Sequence, residues 1–213
     1  MIIKDISRAI KDLLPKSFID LYEERKMKAD YQKWEKNGKP IPPSYAVKKM
    51  VIREYQEKSK YNILIETGTY YGDMVFAQIN YFNSIYSIEL SDYFYKKAVK
   101  RFKKYKNVHL FHGDSAEVLG SVIKNISEPV IFWLDGHYSG GKTAKGESEC
   151  PVWSELNQII TRNLPHVILI DDARFFIGKQ DYPTIEELQH YFINRNMNHS
   201  FEVKDDIIRI VLK

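Results

Sequence analysis

A chain of 213 residues with 44% hydrophobic content has room for one sizeable core and a modest appendage, but not for two full domains. Its 32 basic and 28 acidic side chains leave a formal charge of +4, too small to identify an anionic partner. The single cysteine, Cys150, excludes an intrachain disulfide and a multi-cysteine zinc site and suits a reducing cytoplasm, while no stretch approaches the ~20 apolar residues of a membrane span.

From Ile3 to about Trp34 apolar residues recur at helical spacing, first Ile6, Ile10, Leu13 and Leu14, then Phe18, Leu21 and Tyr22, which predicts two short helices. The stretch Asn37 to Pro43 breaks that pattern. A third helix is expected from Ser44, whose hydroxyl can cap free amides, to about Lys58, with Val47, Met50, Val51 and Tyr55 on one face. Residues 1–60 thus read as a helical extension preceding a domain over 61–213. Within that domain five short apolar runs, NILIE, SIYSIEL, NVHLFHGD, PVIFWLDG and HVILIDD, alternate with amphipathic stretches. This is the pattern of βαβ units and predicts an α/β fold with a parallel sheet buried on both faces. The tail, SFEVKDDIIRIVLK, reads instead as an antiparallel hairpin turning at Asp205 and Asp206.

The chemistry-bearing residues fall at the ends of these runs. Glu66-Thr67-Gly68-Thr69-Tyr70-Tyr71-Gly72 joins the first strand to a helix, and its two glycines let a ligand approach backbone amides at a helix start. The bland alternative is a glycine-bearing loop with no ligand. Glu89, at the end of the second run, stands where nucleotide-binding α/β folds place an acid against ribose hydroxyls, unless it is a solvated acid. Gly113-Asp114-Ser115 after the third can receive an adenine amino group or cap a helix.

Together, Glu66-x-Gly68-x-x-x-Gly72, Glu89 and Gly113-Asp114-Ser115 resemble the successive cofactor motifs of class I S-adenosylmethionine-dependent methyltransferases, over roughly Tyr61 to Lys213. The resemblance implies a Rossmann-like, mostly parallel seven-stranded sheet whose last strand is antiparallel. It implies a cofactor site formed by Glu66, Gly68, Tyr70, Gly72, Glu89, Asp114, Ser115 and Asp135. Gly68 would lie against the methionine part, Glu89 would hold the ribose and Asp114 would face the adenine. Tyr70 departs from the pattern, because many members carry glycine there.

Asp135 after the fourth run and Asp171-Asp172 after the fifth should meet at one sheet edge, where like charges crowd and a hard divalent cation, magnesium, manganese or calcium, would neutralise them, unless one acid contacts the cofactor and the others cap helices or pair with Arg174. The arrangement is similar to the metal site of catechol-type and sugar-modifying O-methyltransferases. Such a metal would bind the acceptor hydroxyl and lower its pKa. Catalytic roles then fall to Asp135 and to His137 as base, with Lys142 as its substitute.

His137 and Lys142 belong to a long glycine- and lysine-containing loop up to Pro151 that reads as a lid contacting the acceptor. Its Gly136-x-x-x-x-Gly141-Lys142-Thr143 matches a phosphate-binding loop formally, but follows a late strand and opens no convincing helix. The basic stretch Tyr93 to Lys106 has Phe94, Ala98 and Phe102 on one face, as a helix covering a sheet does, so nucleic acid is not expected. Cys150 reads as structural. The expected activity is methyl transfer to a sugar, glycan precursor or other small hydroxylated metabolite, phosphorylated or acidic forms included, with self-association left open. The alternatives are an NAD(P)-dependent oxidoreductase, which would lack the expected G-x-G-x-x-G turn, and a non-catalytic Rossmann-like binding domain.

Overall fold

The computed structural model describes residues 16–136 and 150–213. Helix α1 (Lys16–Lys36) and helix α2 (Tyr45–Ser59) precede an alternation of strands and helices: β1 (Ile63–Thr67), α3 (Asp73–Gln78), β2 (Ser84–Glu89), α4 (Asp92–Phe102), β3 (Val108–His112), α5 (Ser115–Ile123), β4 (Ile131–Leu134), α6 (Val152–Ile160) and β5 (Val167–Ile170). A short 3-10 turn (Ala173–Phe175), α7 (Ile185–Ile193), β6 (His199–Lys204) and β7 (Ile207–Leu212) follow. All five apolar runs form strands, and a helix separates each consecutive pair.

The sheet has the order β3-β2-β1-β4-β5-β7-β6. Its first five strands are parallel, and β7 runs antiparallel to both β5 and β6. The β6–β7 turn is made by Asp205 and Asp206, both at positive φ (56° and 61°), the conformation a two-residue hairpin loop demands. Successive residues of a strand point to opposite faces, so β1 sends Ile63 and Ile65 into one core and Leu64 into the other. The first core gathers Leu119 of α5, Leu156 of α6 and Phe192 of α7. The second gathers Val47, Val51 and Ile52 of α2 with Met74, Val75 and Phe102. As a result α2 packs on the same side of the sheet as α3 and α4, against Trp133 and Leu169.

The N-terminal helices differ from expectation in detail. The second predicted helix is 21 residues long, and the first lies outside the described residues. Leu21 and Tyr22, expected on its buried face, are exposed, and α1 instead buries Met27 and Trp34, seven positions apart on one stripe. The Trp34 indole donates to the Pro40 carbonyl at 2.9 Å and pins the proline-containing connection. Helix α2 starts after Ser44 as predicted, but the Ser44 hydroxyl makes no capping bond. Its buried face is Ala46, Val47, Val51 and Ile52, with Met50 and Tyr55 only half-buried.

Candidate functional site

Strand order reverses between β1 and β4, since the chain runs outward through β2 and β3 and then returns to β4 and β5 on the other side. At such a switch point the loops leaving the two strands diverge and open a crevice at the carboxyl edge. Backbone bonds hold the loops there. The Gly68 amide donates to Ile88 O at 2.9 Å, the Asp135 amide to Thr67 O at 3.1 Å, the Asp171 amide to Leu134 O at 3.0 Å and the Gly113 amide to Glu89 O at 3.0 Å. Glu89, Asp114, Asp135 and Asp171 therefore leave the same edge of the sheet, on neighbouring strands.

Gly68 has φ +86°, and a Cβ there would run into the Asp135 carbonyl oxygen. Only glycine lets the β1 and β4 loops approach this closely. Tyr70 also takes the left-handed conformation, φ 50°, which a side chain adopts at a cost. Its ring packs on Tyr71 and Phe94, with centroids 4.6 and 4.5 Å away. The backbone of this loop is organised by Glu89: one carboxylate oxygen accepts from the Tyr70 amide at 2.6 Å and the other from the Ser91 amide at 2.8 Å. Burial raises the Glu89 carboxyl above its ordinary range, and these two amides pull it back. Each oxygen keeps a lone pair for a further donor. Gly72 caps the N-terminus of α3.

Asp114 caps α5, accepting from the Ala116 amide at 2.9 Å, and Ser115, buried, stands beside Gly136. Glu66 is buried at the end of β1 and accepts from Ser87 Oγ at 2.6 Å, within a chain that continues to Thr69 Oγ1. Burial holds its carboxyl well above the ordinary range, so it favours the neutral form.

A pocket of about 690 Å³ opens on this edge. Glu66, Gly68, Tyr70 and Asp135 line it from the sheet side. The opposite wall comes from the N-terminal helices, among them Met27 of α1 and Tyr45 and Lys49 of α2, none of which the sequence singles out. Tyr45 lines this pocket, and burial of its hydroxyl with the nearby Glu66, Asp73 and Asp135 carboxylates raises it well above the ordinary tyrosine range. The pocket walls do not include Gly72, Glu89, Asp114, Ser115, Asp171 or Asp172. His137 and Lys142, the expected base and its substitute, lie outside the described residues with the rest of the loop 137–149. Cys150, at the end of that loop, is buried, and burial pushes its thiol up to about 12, which fits a structural residue.

The three late acids do meet: Asp135, Asp171 and Asp172 bring carboxylate oxygens within 4.8 Å of one another. They meet around a lysine. Lys48 of α2 donates to Asp171 Oδ2 and, at 3.2 Å, to Asp172 Oδ1. The other Asp171 oxygen accepts from the Asp172 amide at 2.8 Å, and Asp172 Oδ1 also accepts from Arg174 at 2.8 Å. Arg174 bonds Asp206 as well. Burial and Asp135 hold the Asp171 carboxyl well above its ordinary range although Lys48 pulls it back; burial opposes the Lys48 charge, but Asp171, Asp135 and Asp172 outweigh it and raise its pKa. A divalent ion would compete here with an ammonium, because Lys48 bonds both Asp171 and Asp172, and Asp172 Oδ1 serves Arg174 as well. The sequence reading identifies the acids and the Arg174 pairing but not Lys48. The only local signal for Lys48 is its place beside Val47 and three positions before Val51 on the buried face of α2.

No known family profile matches the chain, and no curated protein does. Among solved structures it is similar to the S-adenosylhomocysteine-bound Podospora anserina methyltransferase PaMTH1, with TM-score 0.60, 15% identity and coverage of 99% of this chain and 95% of that one. The chain has the methyltransferase fold. A putative caffeoyl-CoA O-methyltransferase from Staphylococcus aureus follows with TM-score 0.55 and 14% identity, covering 93% of this chain and 98% of that chain. The O-methyltransferase TomG from Streptomyces achromogenes, in complex with S-adenosylmethionine, has TM-score 0.56 and 13% identity, with 87% and 88% covered.

Proposed function

We propose that this protein is an S-adenosylmethionine-dependent O-methyltransferase acting on a sugar, a glycan precursor or another small hydroxylated molecule. The carrying observation is the crevice between β1 and β4, where Gly68 lies against the Asp135 carbonyl and Glu89 organises the adjoining loop beside a 690 Å³ pocket. The solved neighbours bound to S-adenosylhomocysteine or S-adenosylmethionine share this fold, which supports the same cofactor here.

In this reading Glu89 accepts from the ribose hydroxyls with the lone pairs left over from Tyr70 and Ser91. The amides at the start of α3, behind Gly72, and the loop from Gly68 to Tyr70 receive the polar methionine end. Asp114, whose Oδ1 caps α5, has a second oxygen for the adenine amino group, with Ser115 beside it. The cofactor supplies an electrophilic methyl group, displaced in line onto the acceptor oxygen. Asp135 faces the pocket and orients that oxygen by accepting its hydrogen, while the two helical walls exclude water and hold the acceptor at reacting distance. Proton removal is assigned to His137 or Lys142. The divalent ion implied by the resemblance would be held by Asp135, Asp171 and Asp172 only with Lys48 withdrawn, and no step here is routed through it.

Calorimetry with S-adenosylhomocysteine tests the cofactor half. The chain should bind it, and Glu89→Ala should weaken binding by about 1–3 kcal/mol, a carboxylate's worth of hydrogen bonds. Absence of binding, or an affinity indifferent to Glu89, refutes the reading.

A further inference from the structure

We propose that the Lys48 ammonium is the resident cation of the Asp135, Asp171 and Asp172 cluster and holds the place that a divalent ion would need. Three observations carry this. Asp171 is fully buried, and a carboxylate taken out of water needs a cation or donors at every oxygen. Its two oxygens have them, from Lys48 and from the Asp172 amide. Lys48 itself is fixed: its side chain is only 14% exposed, and it stands on α2 between Val47 and Val51, which anchor that helix in the core shared with the sheet. The second cation, Arg174, bridges Asp172 to Asp206 and so occupies the outer side of the cluster.

A divalent ion binding at these oxygens would have to displace the Lys48 ammonium from Asp171 and Asp172. Magnesium and manganese also demand several oxygen ligands in regular geometry. The methyl transfer proposed above therefore runs without a metal, on positioning and proton removal alone, and Lys48 is a positioning residue: its bonds hold the Asp171 and Asp172 carboxyl groups in place beside Asp135. The inference rests on the methyltransferase reading only for the naming of the reaction, since the occupancy of the cluster is a property of the folded chain.

The test is a manganese titration of the metal-stripped protein, followed by the resonance of free Mn²⁺ and by calorimetry, on the wild type, Lys48→Met and Lys48→Arg. Methionine fills the volume but leaves the acids without their ammonium, so Lys48→Met should bind Mn²⁺ at least about tenfold more tightly than the wild type, whereas arginine should exclude it as lysine does. Saturable wild-type binding as tight as that of Lys48→Met, or no gain in Lys48→Met, overturns the proposal. If Lys48→Met does not fold, the wild type decides by itself, as saturable Mn²⁺ binding counts against a resident ammonium and its absence supports one. S-adenosylhomocysteine binding in the same samples reports separately on the cofactor site, so a failure there leaves the manganese result standing.

Discussion

His166, at the entrance to β5, is 2% exposed, and its Nδ1 accepts from the Val130 amide at 3.1 Å. The ring meets Phe132 edge-on, with centroids 5.1 Å apart. Burial, helped by Arg162, lowers this imidazole to about 4. Between pH 6.5 and about 4 the unfolded chain binds a proton that the folded chain refuses, so stability should be lost as pH falls through that window, by an amount approaching roughly 3 kcal/mol. Asparagine at 166 offers an oxygen to the Val130 amide and has no proton to take up. Denaturant midpoints for His166→Asn should accordingly be flatter between pH 6.5 and 4 than those of the wild type, and parallel curves would show that another group is responsible. At this scale the sequence was a good guide to a residue's position wherever that position is a strand tip. Gly68, Glu89 and the three late aspartates are where their motifs put them, because a parallel sheet delivers every strand end to one edge. Asp114 kept its ambiguity, as a cap and an adenine contact are both open to the same residue. Lys48 was illegible because its partner is 123 positions away, and nothing local to α2 announces a carboxylate above it.

At the scale of elements, α2 stands out. It supplies Lys48 to the acids, Tyr45 and Lys49 to the pocket, and Ile52, which is fully buried, to the core it shares with Leu64 and Trp133. Cutting a buried isoleucine to alanine removes transfer free energy and leaves a cavity, so Ile52→Ala should cost about 2–5 kcal/mol. The loss should appear in one cooperative urea transition followed by both far-ultraviolet circular dichroism and tryptophan fluorescence; a separate early transition for the helices would show them to be loosely attached. Apolar runs bounded by glycine and acidic residues made every strand readable, and Asp205-Asp206 made the hairpin readable. The N-terminal helices were read less well. Their apolar residues are sparse among lysines and glutamates, so spacing alone did not distinguish the stripe of Met27 and Trp34 from the exposed Leu21 and Tyr22.

For the molecule as a whole, the crevice is shared by elements far apart in the chain, from α1 to the loop after β4. A ligand seated there binds only the assembled structure and must therefore protect it against heat. S-adenosylhomocysteine at about a hundred times its dissociation constant should add about 2.7 kcal/mol, which in a chain of this size raises the melting midpoint by roughly 5–10 °C. No shift at saturating ligand, in differential scanning fluorimetry, would place the cofactor elsewhere or deny it. Strand number and the antiparallel closing strand were foreseen through the resemblance and the hairpin, whereas the pocket's second wall was not, because it depends on how helices lie over a sheet edge.

The position of β7, slotted between β5 and β6, also orders events during synthesis. When Ile170 has been made, β5 exposes a full row of unpaired amides and carbonyls, and its neighbour arrives only with residues 207–212, roughly forty residues and several seconds later at ~5–20 residues per second. Throughout that interval the nascent chain carries a sticky apolar rim, Val167 to Ile170, open to any extended peptide nearby. A messenger cut short before the hairpin would make that interval permanent, and its product should be cleared or aggregate instead of persisting as a smaller folded protein.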